Sequence, residues 1–131
     1  MKNIDHDPVV LTQSLIKCAS ITPEDNGVID CVKSHLESFG CECEVLEFSS
    51  ENSYNVKNIF ASIGGKGKHL AFAGHTDVVP IGDKNSWTHK PFDAEIIDER
   101  LYGRGAEDMK SAVACFISAT HRFVKKYGEN F

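Results

Sequence analysis

The sequence lacks the features by which membrane proteins and nucleic-acid-binding proteins are usually recognised. In its 131 residues no apolar run approaches the length needed to cross a bilayer. The N-terminus, MKNIDHDP, carries acids where a signal peptide has an apolar core. Basic residues are scattered, with Lys125–Lys126 as the longest run and a net charge of −5. We therefore expect a cytoplasmic protein whose partners include neither nucleic acid nor membrane.

Cysteine is also scarce, and its pattern is not that of a disulfide framework. Five cysteines are present, an odd number, and no two of them form a C-x-x-C pair. This usage favours reduced thiols in a reducing compartment. Cys41 and Cys43 have the spacing of two residues on one face of a strand. Small core-facing residues are the favoured interpretation, with a redox or metal role as the alternative.

The period of the apolar residues changes twice along the chain. Asp7 followed by Pro8 predicts an N-cap with proline at the first helical position. Helical spacing predicts further helices after Pro23 and from Ala106 to Gly128, and Phe123 is expected on the inward face of the last one. Strand character is found in the four segments between the second and third helices, CECEVLEF, VKNIFASIG, KHLAFAGH and FDAEIIDERLYG. Helices followed by strands and another helix predict an α/β layered domain. No repeat or linker divides the chain, so we expect one unit over residues 1–131.

Two polar side chains follow directly on the apolar run LAFAG, which we expect to be a buried strand. His75 and Asp77 are separated by Thr76, so on an extended backbone they point the same way. Open α/β sheets place their sites at such strand ends. Imidazole is a common metal ligand, and a nearby carboxylate that fixes its second nitrogen strengthens it. A capped strand end with His75 bonded to the backbone is the alternative, because H-x-D alone is a weak motif.

A second candidate site lies in LYGRGAEDMK, residues 101–110. Gly103 and Gly105 permit a tight or left-handed backbone at the approach to a helix. Asp108 falls in the first helical turn, where the helix dipole favours a carboxylate, so simple capping is the alternative. A phosphate loop is excluded because the G-K-[ST] ending is missing and acids occupy the phosphate position. Taken together, His75 and Asp108 form a candidate pair of metal ligands brought from separate elements.

In their order and spacing these segments resemble the co-catalytic dinuclear zinc amidohydrolases and peptidases. That family includes succinyl-diaminopimelate desuccinylases, acetylornithine deacetylases and carnosinase-like dipeptidases. The resemblance runs over essentially the whole chain and is carried by GHTDVVP, by Trp87, Pro91 and Phe92, and by LYGRGAEDMK. Val78 and Arg104 favour the desuccinylase branch, because acetylornithine deacetylases tend to read GHTDTVP and LYGLGTADMK.

The resemblance implies a fold and a role for each site residue. His75 would bind one zinc ion, Asp108 would bridge two zinc ions, with cobalt possible, and Asp77 would orient His75. The peptide bond between Asp108 and Met109 is expected to be cis. The implied fold is the N-terminal part of a zinc-aminopeptidase-like catalytic domain, with a mixed sheet flanked by helices.

The implied reaction is metal-assisted hydrolysis of a small acylated amino acid. The substrate of the desuccinylase branch is N-succinyl-LL-2,6-diaminopimelate, a precursor of lysine and peptidoglycan. The implied enzyme is bacterial, cytoplasmic and homodimeric. Another deacylase or dipeptidase of the family, or a non-catalytic truncated product, is the alternative function.

Several parts of the family pattern have no counterpart in this sequence. The unmatched parts are the Glu-Glu pair that supplies base and ligand, a further carboxylate ligand, a distal histidine and the dimerisation domain. We therefore expect a segment of a longer enzyme, inactive alone. Ser111 stands where glycine is usual, and Glu107 where alanine is common. Lys110 and Arg104 are candidates for binding a substrate carboxylate, with ion pairing on a helix surface as the alternative.

Overall fold

Helices and strands follow the order expected of an α/β chain, in a computed structural model that describes residues 4–65 and 67–128. The helices are α1 (Pro8–Lys17), α2 (Val28–Glu37) and α3 (Ser111–Tyr127), and the strands are β1 (Glu42–Phe48), β2 (Val56–Ser62), β3 (Ile96–Ile97) and β4 (Arg100–Leu101). The α/β class is confirmed. Within the described residues the strands form two antiparallel pairs, β1 with β2 and β3 with β4. None of the helices described is long and apolar enough to cross a membrane.

The first helix begins where the sequence predicts its N-terminus. The Asp7 carboxylate accepts hydrogen bonds from the N–H groups of Val9 and Val10, and Pro8 occupies the first turn. Gly27, in the left-handed region at φ +78°, precedes α2. The two helices pack with α3 around one apolar core, made of Leu11, Leu15, Val28, Ile29, Val32, Val113, Ala114 and Ile117.

The β1–β2 pair covers this core with one of its faces. Val45 and Ile59 are register partners, and both pack against the helical core. The opposite face carries Phe48 and Phe60, whose exposed fractions are 57% and 63%. The half-exposed strand predicted from the alternation in CECEVLEF is thus confirmed.

None of the five cysteines, which all lie within the described residues, forms a disulfide, as the sequence predicts. Cys41 is buried and Cys43 is half-buried at the start of β1. Across residues 4–65 and 67–128, no group of three or more His, Cys, Asp or Glu side chains is arranged to hold a metal ion. The structure therefore gives no support to a metal site at Cys41 and Cys43.

The segment KHLAFAGH does not form the buried strand that its apolar residues predict. Residues 68–77 belong to no ladder, and Leu70 is 87% exposed. An apolar run becomes a strand only where neighbours satisfy its N–H and C=O groups, and no described segment pairs alongside this one. Pairing starts only at the buried Val78, which forms an isolated parallel bridge with Ile21.

The hairpin predicted in FDAEIIDERLYG is present and very short. Ile96 pairs with Leu101, and Ile97 pairs with Arg100. The turn residues Asp98 and Glu99 have φ values of +49° and +62°. Positive φ at both central positions is what a two-residue type I′ turn requires.

The last helix begins later than its periodicity predicts. Regular geometry starts at Ser111, because Asp108 (φ −114°, ψ 98°) and Met109 (φ −137°, ψ 32°) leave the helical region. Gly128, at φ +80°, ends the helix as predicted. Phe123 is 45% exposed rather than facing inward, because the buried stretch of α3 ends at Ser118.

Candidate metal and substrate site

His75 and Asp108 lie side by side although 33 residues separate them in the chain. The imidazole Nε2 of His75 is 3.1 Å from Oδ1 of Asp108. The exposed fractions of the two side chains are 48% and 86%, so a ligand can reach both from solvent. The structure thus brings together the two residues that were predicted, from separate segments, as metal ligands.

The second ring nitrogen of His75 faces Asp77. Nδ1 lies 3.1 Å from the main-chain carbonyl oxygen of Asp77 and 3.3 Å from its Oδ1. A neutral imidazole carries one N–H, so only one of its two ring nitrogens can donate to a facing oxygen. One of the two contacts, at Nδ1 or at Nε2, therefore needs a second proton or another cation. Two acceptors facing one ring form a local site for positive charge.

The electrostatics of His75 agree with this geometry. Burial lowers the pKa of His75, but the hydrogen bond to the Asp77 carbonyl and the Asp108 carboxylate raise it, and the net shift is upward. The same oxygen atoms that stabilise a proton would stabilise a metal cation bound at Nε2. Protons and metal compete for that nitrogen as the pH falls.

Asp77 is itself held in place by a neighbouring segment of chain. The Thr22 hydroxyl donates to Oδ2 of Asp77 at 2.6 Å. The Ser20 hydroxyl donates to the carbonyl oxygen of Thr76 at 2.6 Å, and the Val78 N–H donates to the Ser20 carbonyl at 2.8 Å. Hydrogen bonds with residues 20–22 therefore hold residues 76–78 in place. No local pattern marks Thr22 or Ser20, because their partners lie 55 and 56 residues away.

Lys110 anchors the loop that carries Asp108. The side chain is fully buried, and its ammonium donates to the carbonyl oxygens of Leu15 at 2.8 Å and Cys18 at 2.7 Å. These carbonyls belong to the C-terminal end of α1, where a helix leaves acceptors unsatisfied. Burial lowers the pKa of Lys110 to about 8. Both interpretations of Lys110 from the sequence, a substrate contact and a surface ion pair, are therefore wrong.

Two glycines allow this loop to approach its neighbours closely. Gly105 has φ +79°, and a Cβ atom there would lie 2.5 Å from Cγ1 of Val78. At Gly103 an added Cβ would lie 2.6 Å from Cγ2 of Ile16. The tight turn predicted for LYGRGAEDMK is thus confirmed. The Asp108–Met109 peptide bond is cis, as the resemblance implies.

An open cavity of about 310 Å³ adjoins the pair His75 and Asp108. Its wall is rich in acids, with Asp77, Glu107 and Asp108 all among the lining residues. Arg104 lines the same cavity and provides its permanent positive charge. A second cavity, of about 470 Å³ and lined in part by Trp87, shares Gly103 with the first.

Comparison with known proteins relates this site to an enzyme family. Residues 71–130 match Peptidase family M20/M25/M40. The chain is 51% identical over 122 residues to a succinyl-diaminopimelate desuccinylase of Rhodospirillum centenum, covering 93% of this chain and 32% of that protein. It is 45% identical over 127 residues to one of Methylorubrum extorquens (strain PA1), covering 97% and 33%. It is 45% identical over 121 residues to one of Parvibaculum lavamentivorans, covering 92% and 31%.

These matches have two consequences. The resemblance predicted from GHTDVVP and LYGRGAEDMK is confirmed, since the similarity extends over nearly all of this chain. The chain spans about a third of the length of the curated relatives it matches.

Proposed function

We propose that His75 and Asp108 are two ligands of a divalent-metal centre in an amide hydrolase that removes succinate from N-succinyl-LL-2,6-diaminopimelate. The observation that carries the proposal is the 3.1 Å approach of His75 Nε2 to Asp108 Oδ1, on the wall of an open cavity. The choice of substrate is supported by the relatives, which are named as succinyl-diaminopimelate desuccinylases.

The donor set fits zinc. An imidazole nitrogen and a carboxylate oxygen are ordinary ligands of Zn²⁺. When Asp77 holds the proton on Nδ1, the lone pair on Nε2 is left for the ion. A zinc site takes four ligands, and the described residues bring two candidates together. The proposed centre therefore needs further ligands, and in the complete enzyme we assign it two zinc ions, with cobalt as a possible substitute.

The residues of this chain contribute ligation and position. A divalent ion at the site would supply Lewis acidity, which polarises an amide carbonyl and acidifies water. Asp77 fixes the tautomer and orientation of His75, and the Thr22 hydroxyl fixes Asp77. Lys110 holds the Asp108 loop against α1. We assign the general base to none of these residues, because each is already committed to holding the site together.

The proposal also defines the setting of the enzyme. Its substrate is a small acylated amino acid, and its reaction serves diaminopimelate and lysine biosynthesis in the bacterial cytoplasm. We propose a homodimer for the complete enzyme, on the strength of the family resemblance. Sedimentation of the active species would test that assembly, and a monomer with full activity would contradict it.

The test is an assay of the product of the complete reading frame, supplied with zinc. Succinate release from N-succinyl-LL-2,6-diaminopimelate is measured beside acetate release from N-acetylornithine. We expect desuccinylation to be the faster reaction and the His75→Ala variant to lose nearly all of it. The His69→Ala variant, which changes an exposed histidine outside the cavity, is the matched control. Faster deacetylation would reassign the substrate, and no turnover of either compound would overturn the proposal.

A further inference from the structure

We infer that Arg104, supported by the ring of Trp87, binds a free carboxylate group of the substrate beside His75 and Asp108. The choice of a dicarboxylic ligand rests on the proposed function. The contacts of Arg104 do not depend on it.

The backbone fixes Arg104 at the wall of the site. Arg104 lines the same cavity as His75 and Asp108. Its main-chain N–H donates to the carbonyl oxygen of Pro91 at 2.7 Å, which ties the loop to the chain before the β3–β4 hairpin. A side chain that starts from a fixed position needs less ordering when a ligand binds.

The guanidinium group of Arg104 lies over the aromatic ring of Trp87. Its Cζ atom is 5.0 Å from the centroid of the Trp87 ring. The ring is held in turn, because its Nε1–H donates to the carbonyl oxygen of Ile81 at 2.9 Å. Contact with a ring uses the flat face of a guanidinium and leaves the N–H groups at its edge for acceptors in the plane.

Arg104 has no carboxylate partner within residues 4–65 and 67–128, although acids line the same cavity. Its Nε atom is buried and has no hydrogen-bond partner among the described residues. A buried donor without an acceptor costs free energy, so an acceptor on a bound molecule would stabilise the Arg104 side chain. The neighbouring cation Lys110 is committed to two main-chain carbonyls and is not available.

The acidic lining of the cavity makes a cation such as Arg104 necessary for binding a carboxylate. Asp77, Glu107 and Asp108 would repel a carboxylate that approaches His75. A guanidinium on the same wall offsets that repulsion and can bind a carboxylate with two parallel hydrogen bonds. The ligand chemistry is therefore a free carboxylate, which belongs either to the succinyl group or to the diaminopimelate part of the substrate.

Trp87 makes the inference measurable without catalysis, because it is the only tryptophan in the sequence. Succinate and diaminopimelate are titrated separately into the protein in the presence of a chelator, and Trp87 fluorescence is recorded. We expect a saturable change with one of the two compounds. Arg104→Gln should weaken that binding by about 10–100-fold, the range for losing hydrogen bonds to a charged group. Arg100→Gln, at an exposed site on β4, is the matched control.

A second measurement protects the result against a variant that folds badly. The unaltered protein is treated with an arginine-specific dicarbonyl reagent, with and without the compound that saturates, and modified arginines are mapped by mass spectrometry. Protection confined to Arg104 would support the inference. Equal modification of Arg104 in both samples, or a fluorescence titration unchanged in Arg104→Gln, would overturn it.

Failure of this inference can be distinguished from failure of the proposed function. In the complete enzyme Arg104→Gln should raise KM about 10–100-fold with a much smaller change in kcat, since a carboxylate that takes no part in the bond cleavage is bound alike in the ground state and the transition state. Turnover with an unchanged KM would overturn the role of Arg104 alone. Binding through Arg104 without turnover would overturn the proposed reaction and leave the carboxylate subsite standing.

Discussion

The ammonium group of Lys110 lies 2.7 Å from the main-chain carbonyl oxygen of Cys18, at the point where α1 ends. Lys110 follows Asp108 by two residues, so a contact inside the core fixes the chain beside an exposed carboxylate. The position of Asp108 against His75 therefore depends on a residue that faces away from the cavity.

Replacement of Lys110 tests this anchoring. Lys110→Met keeps the length of the side chain but removes the ammonium donor from the carbonyl oxygens of Leu15 and Cys18, of which the Cys18 oxygen keeps the Ser20 N–H as a donor. We expect the free energy of unfolding to fall by about 1–3 kcal/mol, the cost of an unsatisfied buried group. Urea unfolding of Lys110→Met is compared with Lys125→Met, which removes an exposed charge from α3. Equal stability of the two variants would show that the buried ammonium contributes nothing.

Gly27 and Gly105 have nearly the same φ angle, so replacing each by alanine distinguishes the cost of backbone strain from the cost of steric overlap. Gly27 has φ +78° with nothing within 4 Å of an added Cβ, whereas Gly105 has φ +79° with Val78 Cγ1 at 2.5 Å. Gly27→Ala should cost about 1–2 kcal/mol from the left-handed backbone alone. Gly105→Ala should cost about 1–3 kcal/mol more, from overpacking.

The extra cost at Gly105 can be checked by relieving the contact. Val78→Ala combined with Gly105→Ala should recover part of the additional loss, measured as a non-additive free energy of unfolding. If the two glycine variants lose the same stability, the close approach of the loop to Val78 has no energetic weight.

Asp77 should control metal affinity through His75. Asp77→Asn keeps the size of the side chain but removes the charge beside Nδ1. Under the proposed function we expect zinc affinity of the complete enzyme to fall by about 10–100-fold, as for other partners of metal-bound histidines. Competition with a chelating dye measures this affinity. Asp93→Asn, which alters an exposed surface pair with Lys90, should leave it unchanged.

Stability should depend on pH through a cluster of three histidines away from the cavity. The rings of His6 and His121 are 3.9 Å apart at their centroids, and those of His6 and His35 are 5.5 Å apart. Burial lowers the pKa of all three from 6.5. His121 and His35 lower the pKa of His6 further, and Lys125 and Arg122 lower that of His121, while Asp5 opposes the shifts of His6 and His35.

The direction of this pH effect follows from proton uptake. The unfolded chain binds protons at these histidines near pH 6.5, and the folded chain does so only at lower pH. Their contribution to stability is thus complete above pH 6.5 and is lost as the pH falls through the folded pKa values. Urea midpoints measured above and below pH 6.5 should differ accordingly. His121→Gln should reduce that difference, whereas His69→Gln, at an exposed position, should not.

The residues of the site can be predicted from the sequence, whereas the residues that hold them in place cannot. His75, Asp77 and Asp108 stand out in the sequence because polar residues follow an apolar run or a pair of glycines in a fixed order. Thr22 does not stand out, since a threonine after a helix has many ordinary roles. The buried position of Lys110 cannot be predicted, because nothing local distinguishes a buried lysine from an exposed one when its acceptors lie 92 and 95 residues away.

Sequence alone determined the order of the helices, the strand character of β1 and β2 and the type of residue at the site. Helical period, Asp7 with Pro8, and the alternation in CECEVLEF act over a few neighbouring residues, so they can be recognised before folding. Only the tertiary structure decided that KHLAFAGH is unpaired among the described residues, that Lys110 points into the core and that Arg104 lies over Trp87. Those outcomes depend on which distant groups satisfy a hydrogen bond or cover an apolar surface, and packing across the whole chain sets them.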